Sequence, residues 1–433
     1  MITRPAVPQA RPWAFPMPQV TILGNGLTVL AYHLPGQYVV SGNLVLELPI
    51  NAEPNDRDGL ATITVRSLDE GTIDHPGLDL SAALEEIGAE FDGLVGLSTT
   101  QCLLDVPSDR CEAAMALLSE VVTTAAFSPE DVARIVANRL SEIEQQEARG
   151  SFVASTALHH GLVAPELRLS RRVGGDTASV SQISRDDVAE FHRRHYRPES
   201  ATMILAGDLS DVDVEGSILA TLGQWTNPDA RETAPQPVTA GTPQRQLIHR
   251  PGAVQADVRI GWFGIDRSDE RWAATQIALA IMGGTFTSRL NHELREERGL
   301  TYGVSMAARP FRQGGTIDVS CSTQTASTGE VIEQSLAILA AEQPFTADEV
   351  DHAIAFLTRS TPLAFDTAEA VVSQAASLAA ARLNLDYVTA TLTALTQVTP
   401  ASAMEAYRSL INPDTASVVV VGDGDQMPTL DLG

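Results

Sequence analysis

Residues 182–210 read QISRDDVAEFHRRHYRPESATMILAGDLS, and residues 397–425 read QVTPASAMEAYRSLINPDTASVVVVGDGD. The two stretches align without a gap at an offset of 215 residues, with Gln182/Gln397, Glu190/Glu405, Arg193/Arg408, Pro198/Pro413, Ala201/Ala416, Gly207/Gly422 and Asp208/Asp423 identical. Each copy reads the same way physically. A polar start leads into an amphipathic helix. The proline ends it, because the residue before a proline is pushed out of the helical region. A short apolar run follows, MILA in one copy and VVVV in the other, which predicts a buried strand. Gly-Asp then closes the unit as a turn. A second pair supports the duplication. FSPEDV at 127–132 matches FTADEV at 345–350, and each is a helix start in which Ser128 with Asp131, or Thr346 with Glu349, forms a capping box.

Working outward from the repeat, residues 227–245 carry Pro228, Pro235, Pro237 and Pro243 among Thr, Gln and Ala, the composition of a linker. The chain therefore divides into a proline-rich N-terminal segment (1–18), a first half (19–226), the linker (227–245) and a second half (246–433). The period is too long for a solenoid and marks a duplicated domain. The first half opens with a hairpin predicted around Asn25-Gly26, and residues 257–263 alternate as a strand in the second. The expected class is α+β: two homologous halves, each a mixed, mainly antiparallel sheet with helices packed on one face.

Composition narrows the function. Of 433 residues, 44% are hydrophobic and 19% charged, enough to build large cores. The net charge of -26 repels phosphate backbones and anionic membrane surfaces, so neither nucleic acid nor membrane is expected as a partner. There is no lysine, which excludes Schiff-base, Walker-type and β-lactamase lysine chemistry. Cys102, Cys111 and Cys321 form no CxxC pair and no even disulfide framework. Residues 1–20 hold five prolines and no apolar core of a signal peptide. No apolar run reaches the ~18 residues of a membrane span. These features lead us to expect a cytoplasmic protein.

Two further stretches carry chemistry: GLATITVRSLDEGT at 59–72 and GGTFTSRLNHELREERGLTYGV at 283–304. Together with RHYRPESATMILAGD they resemble the pitrilysin-like family of inverted-zincin metallopeptidases, over nearly the whole chain. The resemblance implies a clam-shell chamber of which this chain forms half. The family's zinc motif is H-x-x-E-H on a helix, two histidines binding the metal and the glutamate polarising the attacking water. Its frame survives here as Gly59-Leu60-Ala61 and Gly71-Thr72, but Thr62 and Arg66 stand at the histidine positions and Val65 at the glutamate position. Threonine is a poor zinc ligand, arginine sets a fixed positive charge beside the cation, and valine cannot act as a base. Glu142 lies where the family carries its third ligand. One carboxylate cannot hold catalytic zinc alone, and a salt-bridged helix residue is the expected role.

In the second half the family's Arg and Tyr, seven residues apart, match Arg295 and Tyr302 in LREERGLTY. The resemblance implies that this pair reaches the scissile peptide from across the chamber, a guanidinium and a hydroxyl holding a carbonyl and its developing oxyanion. The alternative is that Arg295 belongs to an exposed charge run and Tyr302 to a core. The first-half counterpart, LEEIGAEF at 84–91, has no arginine and ends in Phe91, so the pair is not a by-product of the duplication. The strand around Phe91 and Asp92 resembles the family's substrate-binding edge strand, and the Gly283-Gly284-Thr285 loop is a further candidate for substrate contact. His159-His160 and His192 with His195 invite a metal reading, but Tyr407 and Leu410 replace the latter two in the repeat, which points to packing.

The resemblance thus implies the zinc-less subunit of a heterodimeric peptidase. Its partner would be a zinc-bearing paralogous subunit, its substrate a peptide, and this chain would carry no cofactor of its own. The alternative is an inert structural or peptide-binding protein of the same fold, as in the core proteins of the respiratory cytochrome bc complex.

Overall fold

The structure, a computed structural model, describes residues 13–427, so residues 1–12 of the proline-rich segment and 428–433 of the second half lie outside the described residues. The first half runs β1 (Gln19–Ile22), β2 (Thr28–His33), β3 (Val39–Leu46), α1 (Leu60–Arg66), α2 (Leu78–Glu86), β4 (Glu90–Val95), β5 (Thr100–Pro107), α3 (Cys111–Thr124), α4 (Pro129–Glu147), α5 (Gly150–Leu162), α6 (Arg185–His195) and β6 (Ala201–Gly207). The second runs β7 (Arg245–His249), β8 (Gln255–Gly264), α7 (Trp272–Leu279), β9 (Thr301–Phe311), β10 (Gly314–Gln324), α8 (Thr328–Leu339), α9 (Ala347–Ser360), α10 (Ala368–Ala381), α11 (Pro400–Leu410) and β11 (Ser417–Gly422).

The strands form two sheets, β1-β2-β6-β3-β5-β4 and β7-β11-β8-β10-β9. In each, the repeat strand has one parallel neighbour, β2 for β6 and β7 for β11, while every other pairing is antiparallel. This is the mixed, mainly antiparallel sheet read from the sequence. The hairpin turn falls at Asn25-Gly26, with Ile22 opposite Thr28 and Gly26 at φ 89°. The repeat helices α6 and α11 begin in capping boxes, Ser184 with Asp187 and Thr399 with Ser402. Thr346 caps α9 in the expected capping box with Glu349, whereas Ser128 caps α4 through the Asp131 N–H alone, without the reciprocal bond to its own N–H. Among the described residues, no helix is long and apolar enough to cross a membrane.

The run of four valines explains how the halves are joined. Side chains of a strand alternate between faces. Val418 and Val420 enter the core beneath the second half's own helices, whereas Val419 and Val421 meet Ala154, Leu158 and Leu162 of α5. The first half does the reverse. Met203 and Leu205 face its own helices, and Ile204, Tyr32 and Val45 meet Val371, Val372 and Ala375 of α10. Within each half the helices lie on one face, and the other face is sealed by a helix from the opposite half. Each such buried Val, Leu or Ile contributes about 1.5–3 kcal/mol. Phe15 closes the rim of the α10 cluster, 5.2 Å from Phe365 between ring centres. All three cysteines are free and buried, and burial pushes each thiol's pKa upward.

Candidate functional site

Helix α1 is held at its N-terminus by a buried ionic cluster. Gly59 caps it at φ 96°, where a methyl group would sit 2.9 Å from the Gly174 carbonyl oxygen, so only glycine fits. The Glu53 carboxylate accepts the N–H groups of Gly59 and Ala61 at 3.1 and 2.8 Å, a favourable place for an acid at a helix start. Arg168 donates to the same carboxylate at 2.7 Å and also pairs with Asp58 at 3.0 Å. Burial pushes the Glu53 carboxyl up to about 7, against the pull of Arg168 and the two N–H groups.

This frame fixes what the three motif positions present. Thr62 is buried. Val65 is fully buried against β4, so close that a methyl on Gly93 would lie 2.7 Å from a Val65 methyl. Arg66 turns outward, and its Nη1 donates to both oxygens of Glu142 at 2.8 Å. Arg139 donates to Glu142 from the other side at 3.0 Å. Burial alone would raise the Glu142 carboxyl; the hydrogen bonds from Arg66 and Arg139 outweigh it and hold the pKa low. A guanidinium thus occupies both oxygens of Glu142, the carboxylate that the resemblance sets at the third-ligand position. This donor set does not fit a zinc ion, which needs neutral histidines or anionic groups around it.

Among the described residues one other group could gather metal-ligand atoms, His249, Asp423 and Asp425, whose atoms lie within 4.8 Å. His249 Nδ1 accepts the Gly424 N–H, and Asp423 takes the Gly252 N–H and the Gln426 amide. The first half repeats the device with His33, Asp208 and the Gly36 and Leu209 N–H groups. The duplicated His and Gly-Asp brace the turn after the last strand of each half. His159, by contrast, contacts the Leu169 carbonyl. His192 contacts the Val122 carbonyl at 2.7 Å, and burial lowers both His192 and His195 to about 4.

The second-half candidates lie in a different setting. Arg295 sits on a wide π-type turn, His292–Glu297, anchored by the buried Leu294. Gly299, at φ 63°, turns the chain into β9, the edge of the second sheet, and Tyr302 projects there with 94% of its surface exposed. Tyr302 is therefore not a core residue. Nor is Arg295 absorbed by the surrounding charges: Glu293 pairs with Arg298, and Glu296 and Glu297 approach His292. The Arg295 guanidinium instead lies over the Phe286 ring at 3.8 Å, a stacking partner the sequence reading missed although it stands inside the quoted stretch.

Phe91 and Asp92 lie on β4, the matching edge of the first sheet, with Phe91 partly packed on the core and Asp92 exposed and bonded to the Gly93 N–H. Gly283 is needed for packing, since a methyl there would sit 2.5 Å from Met306 Cβ. Gly284 passes close to the Leu279 carbonyl, and the Thr285 hydroxyl donates to the Ala280 carbonyl. In this structure the loop packs against Met306 of β9 and leads into Phe286.

Two family models match the chain in order: Insulinase (Peptidase family M16) over residues 30–168, and Peptidase M16 inactive domain over residues 182–357. The chain belongs to the insulinase family. Its similarity to an uncharacterized zinc protease of Streptomyces coelicolor is 25% identity, covering 82% of this chain and 78% of that protein. Similarity to a non-peptidase homolog of Helicobacter pylori, YmxG, is 23%, covering 71% and 72%. Among solved structures, the peptidase M16 inactive domain from Pseudomonas fluorescens superposes with a TM-score of 0.85 at 23% identity, covering 94% of this chain and 98% of that one. A Helicobacter pylori protease reaches 0.84 at 12% identity, covering 94% and 100%. At these identities the structures establish the shared insulinase-family fold. Within it, this member lacks the zinc motif.

Proposed function

We propose that this chain is the zinc-less subunit of a heterodimeric metallopeptidase that cleaves peptides. A paralogous partner with an intact H-x-x-E-H would supply the zinc, its ligands and the general base. This chain supplies Arg295 and Tyr302 in trans, their guanidinium and hydroxyl groups donating to the carbonyl oxygen of the scissile bond. The observation that carries the reading is a contrast within one molecule. Arg66 and Glu142 close the metal position on themselves. Arg295, lacking a carboxylate partner among the described residues, and the exposed Tyr302 remain available to an incoming group. Three buried free cysteines suit a reducing compartment, and we place the protein in the cytoplasm.

The test is co-expression with a zinc-bearing paralogue and a quenched fluorescent peptide. The pair should cleave it and the purified chain alone should not. Arg295→Ala and Tyr302→Phe should each cut kcat/KM of the pair about 100-fold. Metal-dependent cleavage by this chain alone, or full activity of the double variant, would sink the reading. The similarity to a non-peptidase homolog supports a second one, an inert structural or peptide-binding protein. It is favoured if no pairing produces cleavage while the chain still binds peptide.

A further inference from the structure

A cleft of about 570 Å³ opens between α5, the loop of residues 170–174 and the β8–β10 face of the second sheet. In a chain of net charge -26, its walls carry five arginines, Arg139, Arg171, Arg172, Arg259 and Arg309, and a single carboxylate, Asp318. Four of the arginines are answered by acids: Arg139 by Glu142 at 3.0 Å, Arg171 by Asp58 at 2.5 Å, Arg172 by Glu147 at 2.8 Å and Arg309 by Asp318 at 2.7 Å.

Arg259 is not. It is 8% exposed, and its guanidinium donates to the Ser155 hydroxyl at 2.9 Å, the Val258 carbonyl at 3.0 Å and the Ser151 carbonyl at 3.2 Å. Among the described residues no carboxylate comes within 4.0 Å of it. Asp257, two residues along the same strand and so on the same face, keeps its charge but makes no direct ion pair with Arg259, its Oδ1 accepting from the Ser322 hydroxyl. A guanidinium cannot shed its proton. Burying it without a counter-ion is costly, and three neutral acceptors leave two of its five N–H donors unused. The same cleft has an apolar wall from Leu158, Leu162 and Phe152.

We propose that this cleft binds a carboxylate of a peptide, Arg259 taking the carboxylate and the apolar wall taking the neighbouring side chain. The absence of a directly paired carboxylate at Arg259 stands independently, whereas the choice of a peptide as carrier rests on the peptidase-subunit reading. The source of the carboxylate, a chain terminus or an acidic side chain, is left to the arms of the test.

Fluorescence anisotropy with the chain alone decides it, using three octapeptides of Gly and Ser that end in leucine, each carrying a fluorophore without a carboxylate at its N-terminus and, in the first two, Ala before the leucine. One has a free C-terminal carboxylate, one is amidated, and one is amidated with a Glu before the leucine. At least one acid-bearing peptide should bind tenfold or more tighter than the plain amide. Binding of the first marks a terminal carboxylate, and binding of the third alone marks a side chain. Ser155→Glu keeps Arg259 and supplies a carboxylate beside it from an exposed position on α5, so it should abolish the preference. Arg259→Gln should do the same. Equal binding of all three peptides, no binding at all, or a preference that survives in a folded variant would overturn the proposal. The wild-type comparison stands even if a variant fails to fold. Because no partner or zinc is present, intact binding beside an inactive pair sinks only the peptidase reading, and equal binding beside an active pair sinks only this one.

Discussion

Arg66 and Glu142 are separated by 76 positions in the chain, yet Arg66 Nη1 rests on both carboxylate oxygens of Glu142 at equal distance. Both side chains are more than a third exposed, so the pair is worth no more than about 1 kcal/mol. Arg66→Ala should therefore lower stability by that amount or less in a denaturant titration. It should also leave zinc binding absent, since Thr62 and Val65 still offer no ligand. One equivalent of zinc retained after dialysis of that variant would contradict the argument. Phe286 makes a subtler case. Removing its ring frees the Arg295 side chain, so in the proposed heterodimer Phe286→Ala should reduce activity about 2–5-fold with an unchanged melting temperature, in proportion to an exposed cation–π contact of about 0.5–1 kcal/mol. At this scale it was the family resemblance, not spacing alone, that marked the three altered motif positions and singled out Arg295 with Tyr302. The partners Glu142 finds across the helices, and the ring under Arg295, depend on how two separately read segments meet.

Helices and their ends were more readable, because caps are local chemistry. The sequence marks Ser128 and Thr346 as caps and both cap, Thr346 in the full box, and the repeat helices add Ser184 and Thr399, where the sequence shows only a polar start. At Gly59 the cap depends on a left-handed backbone and on the nearness of Gly174, so Gly59→Ala should cost about 1–3 kcal/mol in equilibrium unfolding. Helix α6 predicts a pH effect. Burial depresses His192 to about 4 from an ordinary value near 6.5, so the folded state excludes a proton that the unfolded chain accepts. Its contribution is complete above pH ~6.5 and is lost as the pH falls toward about 4, up to about 3 kcal/mol. His192→Gln, which keeps a donor for the Val122 carbonyl but cannot titrate, should flatten the acid limb of the stability curve. An unchanged limb would place the acid sensitivity elsewhere. What the elements conceal is their destination. The apolar stripe of α5 shows that it is buried, but nothing in it names the sheet of the other half as its cover.

At the scale of the molecule, the reciprocal placement of α5 and α10 ties the halves into one cooperative unit. Residues 13–226 made alone would leave Tyr32, Val45 and Ile204 uncovered, and residues 246–427 would leave Val419 and Val421 uncovered. Each fragment should be insoluble or bind a hydrophobic dye, co-expression of the two should restore a soluble complex, and the full chain should show one calorimetric transition. Two well-separated transitions, or a stable single fragment, would contradict this. The same interlock has a mechanical meaning. A chain whose two lobes each hold a rod driven through the back of the other cannot swing open along its own midline without extracting both rods and wetting both sheets. It behaves as one stiff jaw. In the proposed heterodimer a long ligand would therefore enter and leave at the seam between the two chains, and the rate of that opening would follow how tightly they adhere, not a hinge inside this one.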